Sequence, residues 1–115
     1  MDLIRYSGFG EASSLITFSS LASHRADTGW HKIEQGAMLV DVRTAAEFNQ
    51  QHLENAINYP LNSINIAFNE IDKDQAIVVY CRSGNRSGQA KKILTSLGFK
   101  NVHNAGGLSE LLQAK

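Results

Sequence analysis

The sequence predicts an α/β fold, a small parallel β-sheet flanked by helices on both faces, and two observations predict it. Met38-Leu39-Val40-Asp41-Val42 and Ala76-Ile77-Val78-Val79-Tyr80 are short apolar runs rich in β-branched residues, the pattern of strands buried on both faces. Segments with apolar residues at helical spacing alternate with these runs, and strands alternating with helices imply a parallel sheet joined by helical crossovers. At 115 residues the chain has the usual size of one domain and is long enough to bury one core.

The elements follow in chain order. Residues 1–29 read as an N-terminal arm, disordered or loosely docked, and residues 30–115 as the domain. Asp2 precedes Arg5, and serines with Thr17 interrupt the apolar residues Leu15, Ile16, Phe18 and Leu21. A secretory signal should show a basic start and an unbroken apolar centre, so a cytoplasmic location is favoured. A periplasmic one follows if the arm is a signal segment after all. Trp30 and Ile33 at helical spacing, then Gly36, predict a short helix with a glycine stop.

Met38–Val42 is the first strand. Thr44-Ala45-Ala46-Glu47 fits a capping box, in which hydroxyl and carboxylate satisfy each other's free amides at a helix start. Ala56-Ile57-Asn58 predicts a second short strand ended by Pro60, and Ile64, Ala67, Phe68 and Ile71 an amphipathic helix over 63–71. After the third strand, 76–80, Ala90, Ile93, Leu94 and Leu97 share one face of a helix from Ser87 to Leu97, closed by Gly98. Val102 anchors a last strand, Ala105-Gly106-Gly107 reads as a turn, and a final helix covers 108–113. No internal repeat is visible.

Composition excludes several function classes. The 11 basic and 11 acidic residues balance, leaving no field to recruit nucleic acid or an anionic membrane surface. No stretch approaches the roughly 20 apolar residues that span a bilayer. A single cysteine excludes an internal disulfide, a Cys-x-x-Cys redox pair and a multi-cysteine zinc site. His24, His31 and His103 show no metal-ligand spacing, and packing or solvent is the default reading of each.

That cysteine, Cys81, ends the third strand and is followed by Arg82-Ser83-Gly84-Asn85-Arg86-Ser87 and then a helix. In parallel sheets ligands bind outside the carboxyl ends of the strands, where Cys81 stands. A free thiol of pKa near 8.5 is only about 3% thiolate at pH 7, and a helix N-terminus with adjacent guanidinium groups favours the charged form. Gly84, with Asn85 as a second candidate, can take positive φ so that loop amides turn inward as a nest, and Ser87 is a candidate N-cap. A buried structural cysteine is the plain alternative, but it leaves two arginines and a glycine within five residues unexplained.

Asp41-Val42-Arg43, Glu47-Phe48, His52, Ala56-Ile57-Asn58-Tyr59-Pro60 and the loop from Cys81 to Ser87, in this order and spacing, resemble a rhodanese domain over about residues 30–112. Ser87-Gly88-Gln89-Ala90 and Asn104-Ala105-Gly106-Gly107-Leu108 are further similar to the small single-domain, phage-shock-protein-E type of that family. The resemblance implies a sulfurtransferase. Cys81 would take the outer sulfur of thiosulfate as a persulfide, release sulfite, and pass the sulfur to cyanide or a thiol, with any acceptor protein unknown. Arg82 or Arg86 would bind the oxyanion, and the amides of Ser83, Gly84, Asn85, Arg86 and Ser87 the persulfide. No metal or organic cofactor is implied.

Asp41 and Arg43 are expected to fix neighbouring loops rather than touch substrate. For Glu47, the capping box and a loop arginine compete for one carboxylate. His52 is read as a structural hydrogen-bonding residue, because a thiolate already formed needs no general base. The chain departs from the family at Gln51-His52-Leu53-Glu54-Asn55-Ala56, where two glycines and a proline are lost and Asn55 can supply positive φ. No tryptophan follows Gly106-Gly107.

Two other functions are weighed. Phosphatases and arsenate reductases of related fold carry Cys-x5-Arg around a phosphate-sized anion. Here Ser87 stands where that arginine is required, and Arg86 gives the tighter Cys-x4-Arg. A non-catalytic binding module would be expected to lose the cysteine or its arginines, and this chain keeps all three.

Overall fold

A computed structural model of the chain describes residues 13–115. Its elements are α1 (Ser13–Glu34), β1 (Met38–Asp41), α2 (Ala45–Gln50), β2 (Ile57–Asn58), a 3-10 turn (Leu61–Ser63), α3 (Ile64–Ala67), β3 (Ile77–Cys81), α4 (Asn85–Ser96), β4 (Val102–Gly107) and α5 (Leu108–Ala114). The strands form one parallel sheet in the order β2-β1-β3-β4. The chain steps one way from β1 to β2 and the other way from β3 to β4. The order therefore reverses between β1 and β3, where open α/β sheets bind their ligands. Asp41 and Cys81 are the last residues of those two strands.

Every residue of β3 is buried, and the two-residue period of a strand divides its side chains between two cores. Ile77, Val79 and Cys81 pack with Ile64 and Phe68 and with Ala90 and Leu94 of α4. Val78 and Tyr80 face the opposite side, against Ala26 of α1 and Leu108 and Leu111 of α5. The continuous apolar run is thus the signature of a strand covered on both faces. None of the helices among the described residues is long and apolar enough to cross a membrane.

Several elements differ from the sequence expectation. Residues 1–12 of the expected arm, and the start of the proposed signal segment, lie outside the described residues. The short helix at Trp30 is the C-terminal part of α1, which begins at Ser13. Within it Ala26 is fully buried, and the Trp30 indole N–H donates to the Leu111 carbonyl at 2.8 Å. A Cβ at Gly29 would stand 2.7 Å from that of Ala105, so α1 rests on the sheet where only glycine fits. Gly36 stops the helix at φ 102°, as its position predicts.

The helix expected over 63–71 shrinks to α3 and its preceding 3-10 turn, for β-branched Ile64 and Ile66 and then Asn69 hold a helix poorly. Ala105-Gly106-Gly107 is not a turn but the end of β4, whose register against β3 shifts between Val79 and Cys81. Helix α4 starts at Asn85, not Ser87, because Gly84 at φ 98° provides the break two residues earlier. Asn55 supplies positive φ (70°) in the segment where the glycines are missing.

Candidate active site

Cys81 is 1% exposed at the end of β3, and the chain turns directly over its sulfur. The Gly84 amide donates to Sγ at 3.0 Å. Positive φ at Gly84 lets that amide point back at the strand end, a conformation costly for a residue with a Cβ. Asn85, the other nest candidate, is helical and exposed. Burial pushes the thiol pKa up, yet hydrogen bonds from the Ser87 hydroxyl and from the amides of Ser87, Ser83 and Gly84 outweigh it. The net shift is downward. The thiolate is stabilised mainly by directed dipoles rather than by solvent.

Ser87 is not a helix cap. It is fully buried in the first turn of α4, with Oγ 3.4 Å from Cys81 Sγ and 2.7 Å from Asn104 Oδ1. A hydroxyl has one proton, so these two acceptors compete for it. While the sulfur is a thiol, the shorter bond to Asn104 holds the proton. When the sulfur ionises, the hydroxyl can turn to it. Asn104 ties the rest together, donating from Nδ2 to the Gly84 carbonyl at 3.0 Å and accepting the Gly106 amide at 3.0 Å.

The two loop arginines face different surroundings. Arg86 makes a two-pronged bridge to Glu47 at 2.8 and 3.0 Å, with both side chains partly exposed. The same carboxylate accepts the Thr44 amide at 3.1 Å, completing the capping box of α2. The two readings of Glu47 therefore coexist, since a carboxylate offers about four acceptor sites. Arg86, chiefly, and then the Thr44 amide hold its pKa down to about 2. Open grooves border this bridge on either side. One, of about 460 Å³, runs from Arg86 along Val42, Pro60 and Leu61. The other, of about 320 Å³, is lined by Glu47, Arg43, Arg82 and Ser109, with the Arg82 side chain exposed.

Asp41 and Arg43 are buried against one another, with Arg43 Nη2 2.7 Å from Asp41 Oδ2 and Nε 3.0 Å from Oδ1. Arg43 also donates to the Gln51 carbonyl at 2.6 Å, which ties both ends of α2 to the end of β1. His52 Nδ1 donates to the Phe48 carbonyl at 2.7 Å and its ring stacks on Phe48 at 3.7 Å between centroids. These contacts belong to the C-terminal end of α2. Sequence reasoning assigns no role to three residues that brace the loop, Asn104, Glu110 and Arg25, nor to Tyr80 on the opposite face of β3. Tyr80 accepts the buried Leu53 amide at 3.1 Å. Arg25, within the expected arm, donates to the Ser83 carbonyl at 3.0 Å and to both oxygens of Glu110 at 2.8 and 2.9 Å. Its one sequence signal is the helical spacing of Ala26, Trp30 and Ile33, which extends the helix back towards Arg25.

Comparison with known proteins places the chain in one family. The rhodanese-like domain family model matches residues 22–114. The thiosulfate sulfurtransferase PspE of Escherichia coli is 42% identical over 66% of this chain and 75% of its own length. A sulfurtransferase of Allochromatium vinosum is 40% identical over 80% of each chain. Among solved structures, a rhodanese with anions from E. coli superposes with a TM-score of 0.61 at 42% identity, covering 65% of this chain and 91% of the other. A human single-domain sulfurtransferase superposes with a TM-score of 0.64 at 25% identity, covering 86% and 91%.

Proposed function

This chain belongs to the rhodanese-like family and is a sulfurtransferase, and we propose that it takes sulfur from thiosulfate and carries it on Cys81 as a persulfide. The Cys81 thiolate attacks the outer sulfur of thiosulfate. A sulfur–sulfur bond forms to Cys81, the bond to the sulfonate sulfur breaks, and sulfite leaves with the electron pair. An acceptor then attacks the terminal sulfur: cyanide leaves as thiocyanate, or a thiolate as a persulfide, and the Cys81 thiolate is restored. Two half-reactions through a covalent intermediate give ping-pong kinetics.

The observation that carries this reading is the directed set of donors on one buried sulfur, with Gly84 N at 3.0 Å and the thiol pKa lowered despite burial. In the persulfide the charge moves to the terminal sulfur, one bond beyond Sγ, and the loop amides around Cys81 are the nearest donors to it. Arg86 spends two of its five N–H donors on Glu47 and retains three for thiosulfate oxygens. Arg82, exposed at the second groove, offers its guanidinium fork to the leaving sulfite. Asp41, Arg43, Glu47 and His52 act as the frame.

Intact-mass spectrometry after thiosulfate treatment tests the reading. The wild type gains the mass of one sulfur atom, cyanide removes it, and Cys81→Ser gains nothing. A folded wild type that gains no sulfur would overturn the proposal.

A further inference from the structure

We propose that Arg25 is a positioning residue for the cysteine loop, acting on Cys81 through the single peptide unit that joins Ser83 to Gly84. The carbonyl of that unit accepts from Arg25 Nη2 at 3.0 Å, and its amide donates to Cys81 Sγ at 3.0 Å. In a planar trans peptide the C=O and N–H point in opposite directions, so a cation on one end and the sulfur on the other lie along one dipole. Arg25 fixes the plane of the peptide and polarises it, which makes the Gly84 amide a stronger donor to a thiolate.

The guanidinium is itself held. Glu110 takes Nε and Nη2 at 2.8 and 2.9 Å, and Glu110 Oε1 also accepts the Gly107 amide at 3.2 Å. Arg25 is thereby locked between α1, α5 and the end of β4. The guanidinium lies close over both glycines, since a Cβ on Gly84 would stand 2.7 Å from Arg25 Nη2 and one on Gly106 would stand 2.6 Å from Arg25 Nε. From the carbonyl side of α1, His103 of β4 meets the Arg25 main-chain oxygen at 2.8 Å. The remaining charged groups around the loop are Arg82 within it, the Arg86–Glu47 bridge and the Asp41–Arg43 pair. Each arginine of those two bridges is matched to a carboxylate, as Arg25 is to Glu110. Arg25 alone among them is hydrogen-bonded to a peptide that in turn donates to the sulfur. The Arg25 pKa is raised chiefly by its hydrogen bond to Glu110, with the charges of Glu110 and then Cys81 adding to it.

This inference rests on Cys81 being the reactive group but not on what it carries. The test is therefore the pH dependence of Cys81 alkylation by iodoacetamide, which is unambiguous because the chain has no other thiol. Arg25→Ala should raise the midpoint by about 0.5–1 pH unit, a loss of roughly 3- to 10-fold in alkylation rate below the midpoint. Arg25→Lys, which keeps the charge, should recover part of the shift. Persulfide formation from thiosulfate should slow in the same order. A purely structural brace would lower the melting temperature and leave the midpoint unmoved. A folded Arg25→Ala with the wild-type midpoint overturns the proposal, as does an Arg25→Lys no better than alanine. If Arg25→Ala does not fold, Arg25→Gln replaces it, with the same expected rise and the same overturning result. Wild type that alkylates normally but takes no sulfur would instead defeat the sulfurtransferase reading and leave this one standing.

Discussion

Gly107→Ala is the sharpest test of how tightly the cysteine loop is built. Gly107 lies opposite Cys81 in the β3–β4 register. Its φ of −108° suits any residue, so alanine there brings no backbone strain and the effect is steric alone. The new Cβ would stand 2.9 Å from the Arg82 carbonyl carbon and 3.3 Å from Ser83 Cα, with the Arg82 oxygen nearer still. Carbon atoms in contact sit about 3.5–4.0 Å apart, so the loop and the β4–α5 junction must separate by roughly 0.6–1.1 Å. Neither side yields without loss. The loop is pinned by Arg25 on Ser83 and by Asn104 on Gly84, and the junction by Glu110 on Gly107.

A displacement of about 1 Å at reacting groups costs on the order of 10²-fold in rate, and overpacking of this kind costs about 1–3 kcal/mol in stability. Gly107→Ala should therefore form the Cys81 persulfide about a hundredfold more slowly in stopped-flow mixing with thiosulfate. Its melting temperature should fall by at least about 4 °C. A variant that melts lower but reacts within twofold of the wild type would show that the loop adapts, and the rigid-loop account would be refuted.

Two further changes probe the frame. Tyr80→Phe strands the buried Leu53 amide, a loss of about 1–3 kcal/mol seen by calorimetry. Sulfur transfer should be unchanged, because Tyr80 faces the α1–α5 core, opposite to Cys81. Glu47 is held at about 2, below its ordinary 4.5, so its ionised form favours the fold. That contribution is fully present above pH 4.5 and is lost as pH falls towards about 2. For a partly exposed pair it amounts to about 1 kcal/mol, and Glu47→Gln should flatten the acid limb of a pH–melting curve by that amount. An acid limb as steep in the variant as in the wild type would remove Glu47 from the account.

The parts of this molecule that sequence makes legible are those whose physics is local. The period of β3, the Gly36 and Gly98 stops and the Thr44–Glu47 box each depend on neighbours within a few residues, and each stands where the pattern puts it. Ser87 differs from its expectation for the same reason: a serine before a helical run looks like a cap unless Gly84 is known to turn the chain first. Gly106-Gly107 looks like a turn because nothing in the sequence says that Arg82 presses against it. Glu47 meets Arg86 across 39 positions and Arg25 meets Glu110 across 85, separations at which no periodicity speaks. The loop from Cys81 to Ser87 carries the donors that lower the thiol pKa, and these are legible as a motif. The contacts that brace it come from outside the motif, from Arg25 of α1, Asn104 of β4 and Glu110 of α5 on Gly107.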